Sequence, residues 1–215
     1  MDIIVKNLCK TYDRNQVLDH FSCTFREKKM TCIMGKSGIG KSTLLSILMG
    51  LEKADEGTVS GMEHQKISAI FQENRLDEGT VSGMEHQKIS AIFQENRLFE
   101  NLDAVTNIHI TTGKTKEEIT GFLKKMELDD IAGKPVSEYS GGMKRRVAIA
   151  RALLAEYDIL IMDEPLQGLD AETKEKVATV IKTQTAGKTV LFVTHDEKEA
   201  EFFAEFFEAE CMELV

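Results

Sequence analysis

Eight consecutive residues constrain the fold of this chain more than any other stretch: Gly35-Lys36-Ser37-Gly38-Ile39-Gly40-Lys41-Ser42. They fit the pattern GxxxxGK[ST]. The apolar run at 30–35 precedes them, and 41–50 follows with apolar residues at helical spacing and a terminal glycine. A strand that passes through a glycine-rich turn into a helix turns backbone N–H groups toward one point, at the positive end of the helix dipole. That point suits phosphate. Gly35, Gly38 and Gly40 give the turn its freedom, and Lys36, Ser37, Ile39 and Thr43 belong to the same cradle. Lys41 is placed to reach the β and γ phosphates of a nucleotide, and the Ser42 hydroxyl to ligate Mg²⁺.

The remainder alternates strand and helix patterns. IIVKNL and FSCTF read as early strands, and KISAIFQ as a buried one. The stretch 101–135 reads as mostly helical, with TKEEITGFLKKMEL amphipathic. SGGMKRRVAIARALLAEY is a helix whose arginines fall off the apolar face. YDILIMDE is a continuous apolar strand of the kind buried on both faces of a parallel sheet. AETKEKVATVIKTQ, KTVLFVTH and EKEAEFFAEF follow as helix, strand and helix, before a short strand ending at Val215. Phe202, Phe203, Phe206 and Phe207 pair at i, i+4 and read as core packing. Strands alternating with helices imply an α/β fold with a mainly parallel sheet.

Residues 55–76 and 77–98 are identical at all 22 positions. Solenoid repeats drift in sequence and need several copies to bury a core, so this reads as a tandem duplication inside a domain that folds with one copy. The upstream helix favours the first EGTVSG, and the downstream Phe99 favours the second KISAIFQ. The expected compromise uses a strand at 56–61, loops out residues near 62–83, and completes the sheet with 88–94. It leaves an apolar strand at 66–71 exposed as an edge that invites another chain.

The formal net charge of −9, from 27 basic and 36 acidic residues, opposes a general nucleic-acid binder. With 42% hydrophobic and 29% charged residues the chain has the make-up of a soluble globular protein. No apolar run approaches the roughly 18 residues that suggest a membrane span, and the first residues lack the order of a signal peptide. Cys9, Cys23, Cys32 and Cys211 show no CxxC spacing and read as small buried hydrophobes in a reducing cytosol, not as a metal site.

Asp163 and Glu164 end the strand ILIMDE, where a parallel sheet points side chains into the ligand crevice. Asp163 is expected to hold Mg²⁺ and Glu164 to act as general base on an attacking water. Between the glycine loop and this pair lies Ser140-Gly141-Gly142, followed by Met143-Lys144-Arg145-Arg146 at the start of a helix. It is similar to the LSGGQ signature of the ATP-binding subunits of ABC transporters, with Tyr139 for Leu and Met143 for Gln, and the chain resembles that family over nearly its full length. SGGM with a basic run, and FQENRL, resemble the nitrate, sulfonate and taurine importer branch.

The resemblance implies a P-loop NTPase fold: a single ABC ATP-binding domain over 1–215, with a mixed sheet core, an antiparallel β edge and a helical subdomain near 99–155. It implies Tyr12 stacked on adenine, Asp170 in the loop linking two nucleotide sites, and His195 at the γ-phosphate. It implies a glutamine that senses Mg²⁺ and the membrane partner; of Gln72 and Gln94, Gln94 leads into LFENLDAVTNI and is the expected one. His20, His64, His86 and His109 have no such context and are assigned no role. The implied activity is ATP hydrolysis with Mg²⁺. The implied assembly is a homodimer or heterodimer, each signature covering the other subunit's ATP, on a separate membrane permease at the cytoplasmic face. The rival readings are a non-transport ABC ATPase, opposed by the short segment between Gln94 and Ser140 and by the charge, and a binding-only subunit impaired by the duplication.

Overall fold

The computed structural model describes residues 1–62, 66–67, 88–129, 131 and 133–214, of which 66–67 are described by backbone alone. Strands β1 (Ile3–Tyr12) and β2 (Asn15–Phe25) form an antiparallel hairpin with Tyr12 opposite Asn15. A third antiparallel strand, β4 (Glu56–Ser60), pairs along the other edge of β1, giving the order β2-β1-β4.

The second sheet contains β3 (Met30–Met34), β5 (Lys66–Ile67), β6 (Lys88–Ile92), β7 (Ile159–Asp163), β8 (Thr189–Thr194) and β9 (Glu210–Glu213). Its order is β5-β6-β7-β8-β3-β9, and every described pair in it is parallel. The core sheet is therefore not mixed; the antiparallel strands form a sheet of their own. The cause is visible in ILIM and TVLFV, which are buried throughout. Strands covered on both faces are joined by crossovers that carry helices, and such crossovers make parallel neighbours.

Helix α1 (Lys41–Leu48) lies between the two sheets. Leu44, Leu45 and Leu48 share one core with Ile3, Leu8, Leu18 and Phe25 of the antiparallel sheet and with Ile33, Ile159, Ile161 and Leu191 of the parallel one. The other face of the parallel sheet meets a second core, built with α2 (Ala104–Thr112), α3 (Lys116–Lys125), α4 (Gly141–Leu154), α5 (Ala171–Gln184) and α6 (Glu197–Phe207). The aromatic spacing predicts the stacked pairs Phe202–Phe206 and Phe203–Phe207; Phe203 is fully buried and also meets Phe192, while the other three are half-buried against the same core. The helix starts are specified locally. Asp103, Ser140, Asp170 and Asp196 cap α2, α4, α5 and α6, and Thr115 with Glu118 forms a capping box on α3. No described helix is long and apolar enough to cross a membrane.

The two identical copies are used for different strands. The first copy supplies β4. Its Asp55 accepts from Thr11 N (2.7 Å) and from the Lys10 ammonium (3.3 Å), which also meets Glu52 (2.8 Å). The second copy supplies β6, which runs beside β7 and is anchored by Lys88 N to Asp158 (3.0 Å) and Ser90 Oγ to the Ala152 carbonyl (2.9 Å). The expected loop-out differs in one respect. Lys66 and Ile67 pair in register with Lys88 and Ile89, their own duplicates, and so extend the parallel sheet by one short strand. The rest of the expected loop and edge strand, with Gln72, His64 and His86, lies outside the described residues, as does Val215.

Candidate nucleotide site

The site begins where β3 ends. Gly40 takes φ 108°, and a Cβ there would lie 2.3 Å from the Val17 carbonyl oxygen, so only glycine fits between the loop and β2. No side chain caps α1, which leaves its first N–H groups without a competing side-chain acceptor. Lys41 is buried, and its ammonium donates to the carbonyls of Gly35 (2.6 Å) and Lys36 (2.8 Å). Burial pushes its pKa below the usual lysine value, while Glu164 and Asp163 pull it back up.

The Ser42 hydroxyl donates to Asp163 Oδ2 at 2.8 Å, so the two oxygens expected to share one cation are in contact across α1 and β7. Burial raises the Asp163 pKa, and the Ser42 hydrogen bond opposes that shift. Tyr12, Ser42, Thr43, Gln94 and Asp163 line one cavity of about 470 Å³. Tyr12 is 42% exposed at its rim, with the Lys10 ammonium 5.2 Å from the ring centroid. Hydroxyl, carboxylate and amide oxygens are the hard donors that Mg²⁺ takes, so the residues present fit that ion.

Glu164 follows β7 at φ 50°, a left-handed conformation uncommon for a side chain of its size. The turn is fixed by Glu164 N donating to the Val193 carbonyl (2.9 Å). It holds the buried carboxylate against His195, whose Nδ1 contacts Glu164 Oε1 from the end of β8. The structure thus brings Lys41, Ser42, Asp163, Glu164, His195, Gln94 and Tyr12 to the same ends of the strands.

Ser140, Gly141, Gly142 and Asp170 are not among the residues lining that cavity. Ser140 Oγ accepts from Met143 N (3.2 Å) at the start of α4. Asp170 accepts from Thr173 N (3.0 Å) and the Thr173 hydroxyl (2.7 Å), and these bonds hold its carboxyl below the usual range.

Sequence reasoning placed the arginines of α4 off its apolar face. Arg145 and Arg151 are instead buried. The Arg145 guanidinium donates to the carbonyls of Asp163 (2.7 Å), Glu164 (2.6 Å) and Pro165 (3.0 Å) on one side and of Phe93 (2.5 Å) on the other, with Gln94 O at 3.4 Å. Arg151 donates to the carbonyls of Arg97 (2.7 Å) and Asn96 (3.1 Å). Burial lowers both arginines to about 10, so both remain charged at neutral pH. The four cations of α4, beside a glycine pair, gave no sign of this, because the carbonyls that Arg145 and Arg151 satisfy come from segments distant in sequence.

A family model described as "ABC transporter" matches residues 18–167. The chain belongs to the ABC transporter family. Among its relatives, an aliphatic sulfonates import ATP-binding protein of Agrobacterium fabrum is 35% identical, over 91% of this chain and 66% of the relative. A sulfate/thiosulfate import ATP-binding protein of Nephroselmis olivacea is 31% identical, over 93% of this chain, which spans only 57% of that longer protein. A dimeric structure of a bacterial ABC transporter cassette superposes with a TM-score of 0.76 at 32% identity, covering 99% of this chain and 94% of the cassette. The α/β architecture of this family member is that of the ABC cassettes.

Proposed function

We propose that this cassette binds and hydrolyses ATP as the energising subunit of an import system whose membrane passage is a separate permease. The observation that carries the reading is the Ser42–Asp163 contact at the start of α1 with the Glu164–His195 contact one residue along the strand end. A hydroxyl and a carboxylate in contact are suited to one Mg²⁺, which when bound would neutralise phosphate charge. Glu164, buried and held by its backbone turn, is the general base that orients water; His195, in contact with that carboxylate, meets the γ-phosphate. Lys41 supplies the fixed counter-charge to the β and γ phosphates, and Tyr12 the face on which the base stacks. Gln94 completes the cation's surroundings at the cavity wall. The backbone of residues 35–43 cradles the phosphates.

Ser140, Gly141, Gly142 and Asp170 lie outside the cavity lining and act on a second subunit's nucleotide in a head-to-tail homodimer or heterodimer. The dimeric state of the related cassette supports this arrangement. The α2–α4 helices form the permease-facing subdomain, at the cytoplasmic face of the membrane. The SGGM-Lys-Arg-Arg run and the sulfonate-import relative favour the nitrate, sulfonate and taurine importer branch. The 22-residue repeat is a tandem duplication that the cassette tolerates with one hybrid copy in place.

The test is Glu164→Gln. It removes the base while leaving Lys41, Ser42 and the signature intact, so the variant binds ATP with near-parental affinity, loses nearly all phosphate release, and elutes as a dimer in ATP. Parental turnover in this variant would overturn the assignment.

A further inference from the structure

Outside the nucleotide cavity, the antiparallel sheet gathers a thiol, an imidazole and a carboxylate. Candidate ligand atoms of Cys9 on β1, His20 on β2 and Glu56 on β4 lie within 4.8 Å of one another. None of the nucleotide chemistry uses them. We propose that Cys9, His20 and Glu56 form a binding site for a divalent metal of borderline softness, Zn²⁺ by preference, which clips the three strands together.

Three observations carry it. The first is the irregular pairing centred on Cys9. From Leu8↔Phe21 to Lys10↔Leu18, β2 advances three residues while β1 advances two, so Asp19 and His20 together face Cys9. From Lys6↔Thr58 to Cys9↔Glu56 the opposite ladder is shifted as well. Bulges re-aim side chains and are favoured beside sites, and this one sets a buried Cys9 next to two exposed partners on either flanking strand. His20 sits in the left-handed region at φ 48°, a conformation it adopts to complete the bulge.

The second observation is the support around the ligands. Asp19 Oδ1 lies 2.6 Å from His20 Nδ1, the carboxylate–histidine pairing that fixes the tautomer and orientation of a metal-bound imidazole. The His20 backbone N–H donates to Cys9 Sγ at 3.3 Å, and a donor of this kind stabilises a metal-bound thiolate.

The third is the chemistry of the set. Sulfur, imidazole nitrogen and carboxylate oxygen together suit Zn²⁺ and are poor for Mg²⁺, which demands hard oxygen donors. The two anionic ligands neutralise a divalent charge. Exposed His20 and Glu56 open the site to solvent, which supplies an entry path and a water as fourth ligand. Sequence reasoning could not find the trio, because its members are spread from residue 9 to residue 56 without ligand-motif spacing and meet only through sheet register.

The test uses the whole chain, freed of metal and without nucleotide. Titration calorimetry with Zn²⁺ is expected to show one equivalent bound, and Co²⁺ in its place is expected to give the near-ultraviolet thiolate-to-metal absorption. That absorption disappears in Cys9→Ser and persists in Cys211→Ser and Cys23→Ser. A thiolate band separates this site from the carboxylate and hydroxyl groups of the nucleotide cavity. His20→Ala, at an exposed position, weakens Zn²⁺ binding at least tenfold and removes the rise in melting temperature that Zn²⁺ causes in the parent. Absence of the cobalt band in the folded parent, its persistence in Cys9→Ser, or unchanged Zn²⁺ affinity in His20→Ala would each overturn the proposal.

Discussion

Replacing Arg145 by Met tests how the signature helix controls the chemistry of its own chain. The guanidinium makes four short bonds, to the carbonyls of Asp163, Glu164, Pro165 and Phe93. Hydrogen bonds to charged groups contribute about 1.5–3 kcal/mol each. Simple addition overstates the total, because desolvating the cation offsets much of it. Removing the donor leaves buried carbonyls unsatisfied at about 1–3 kcal/mol each, and release of the desolvated cation offsets part of that sum. Arg145→Met should therefore lose about 3–5 kcal/mol by urea denaturation, a large share of the roughly 5–15 kcal/mol typical of a whole domain. Arg145→Lys keeps the charge but not the fork that spans both loops, and should lose about half as much. The functional readout is more specific. At a temperature where the Lys variant is folded, the nucleotide still meets Lys41 and Ser42, so KM changes little. The strand end carrying Asp163 and Glu164 is no longer registered against the 93–94 loop, so kcat falls at least tenfold. An Arg145→Met protein within about 1 kcal/mol of the parent would refute the structural argument. A Lys variant with parental kcat would refute the positioning one.

Lys41→Ala removes a buried cation from the loop proposed to cradle phosphate and should weaken ATP binding severely by titration calorimetry; unchanged affinity would exclude Lys41 from phosphate binding. Tyr12→Ala should weaken ATP and ADP alike, by about 1–3 kcal/mol if stacking on other aromatic platforms is a guide; a loss confined to ATP would contradict base stacking. Gln94→Ala should lose most Mg²⁺-dependent turnover and Gln72→Ala almost none, and equal effects would show that either copy can occupy β6. Deleting residues 62–83 leaves one complete copy of the repeat, and this shorter chain should keep the β4 and β6 contacts and turn over ATP at least as fast as the parent. A chain that fails to fold after the deletion would show that both copies are structurally required.

The parts of the site legible in sequence were those set by local chemistry. The glycine loop could be read because Gly35 to Ser42 and their flanking strand and helix are contiguous. Asp163 and Glu164 could be read because a carboxylate pair at the end of an apolar strand has one natural place in a parallel sheet. What stayed hidden depends on contacts between distant segments. Arg145 looks like a solvated cation beside Lys144 and Arg146, and only the packing of α4 beneath β6 and β7 turns it toward five carbonyl oxygens. The segregation of the antiparallel strands was hidden for a similar reason. The alternation in β1 and β2 shows one face in and one face out, but not which sheet lies opposite. Cys9 reads as an isolated apolar residue until β2 and β4 bring His20 and Glu56 to it.

The division of labour between the identical copies cannot come from strand energetics, since each offers the same side chains to the same neighbours. It must come from where the surplus 22 residues are inserted. In the observed arrangement they lengthen an existing connection, from β4 to β6, that a single copy would close with the five residues of the 61–65 span. A roughly fivefold lengthening costs about 1.5 kcal/mol at about 0.6 kcal/mol per doubling. Using the first copy for both strands would instead put the surplus between Leu76 and Phe99. The observed chain has Leu98 joined directly to Phe99 there, with Phe99 N held by Asn107 Oδ1 at 2.7 Å and the Arg97 carbonyl held by Arg151. Opening that junction closes a new loop whose ends are one peptide apart, at about 2.7 kcal/mol from the logarithmic dependence on length alone. The difference of about 1 kcal/mol favours the longer β4–β6 connection, and the Lys66–Ile67 pairing beside Lys88–Ile89 adds to it. The second copy is thus accommodated in the connection from β4 to β6, and the link from Gln94 to α2 keeps its short path through Leu98 and Phe99.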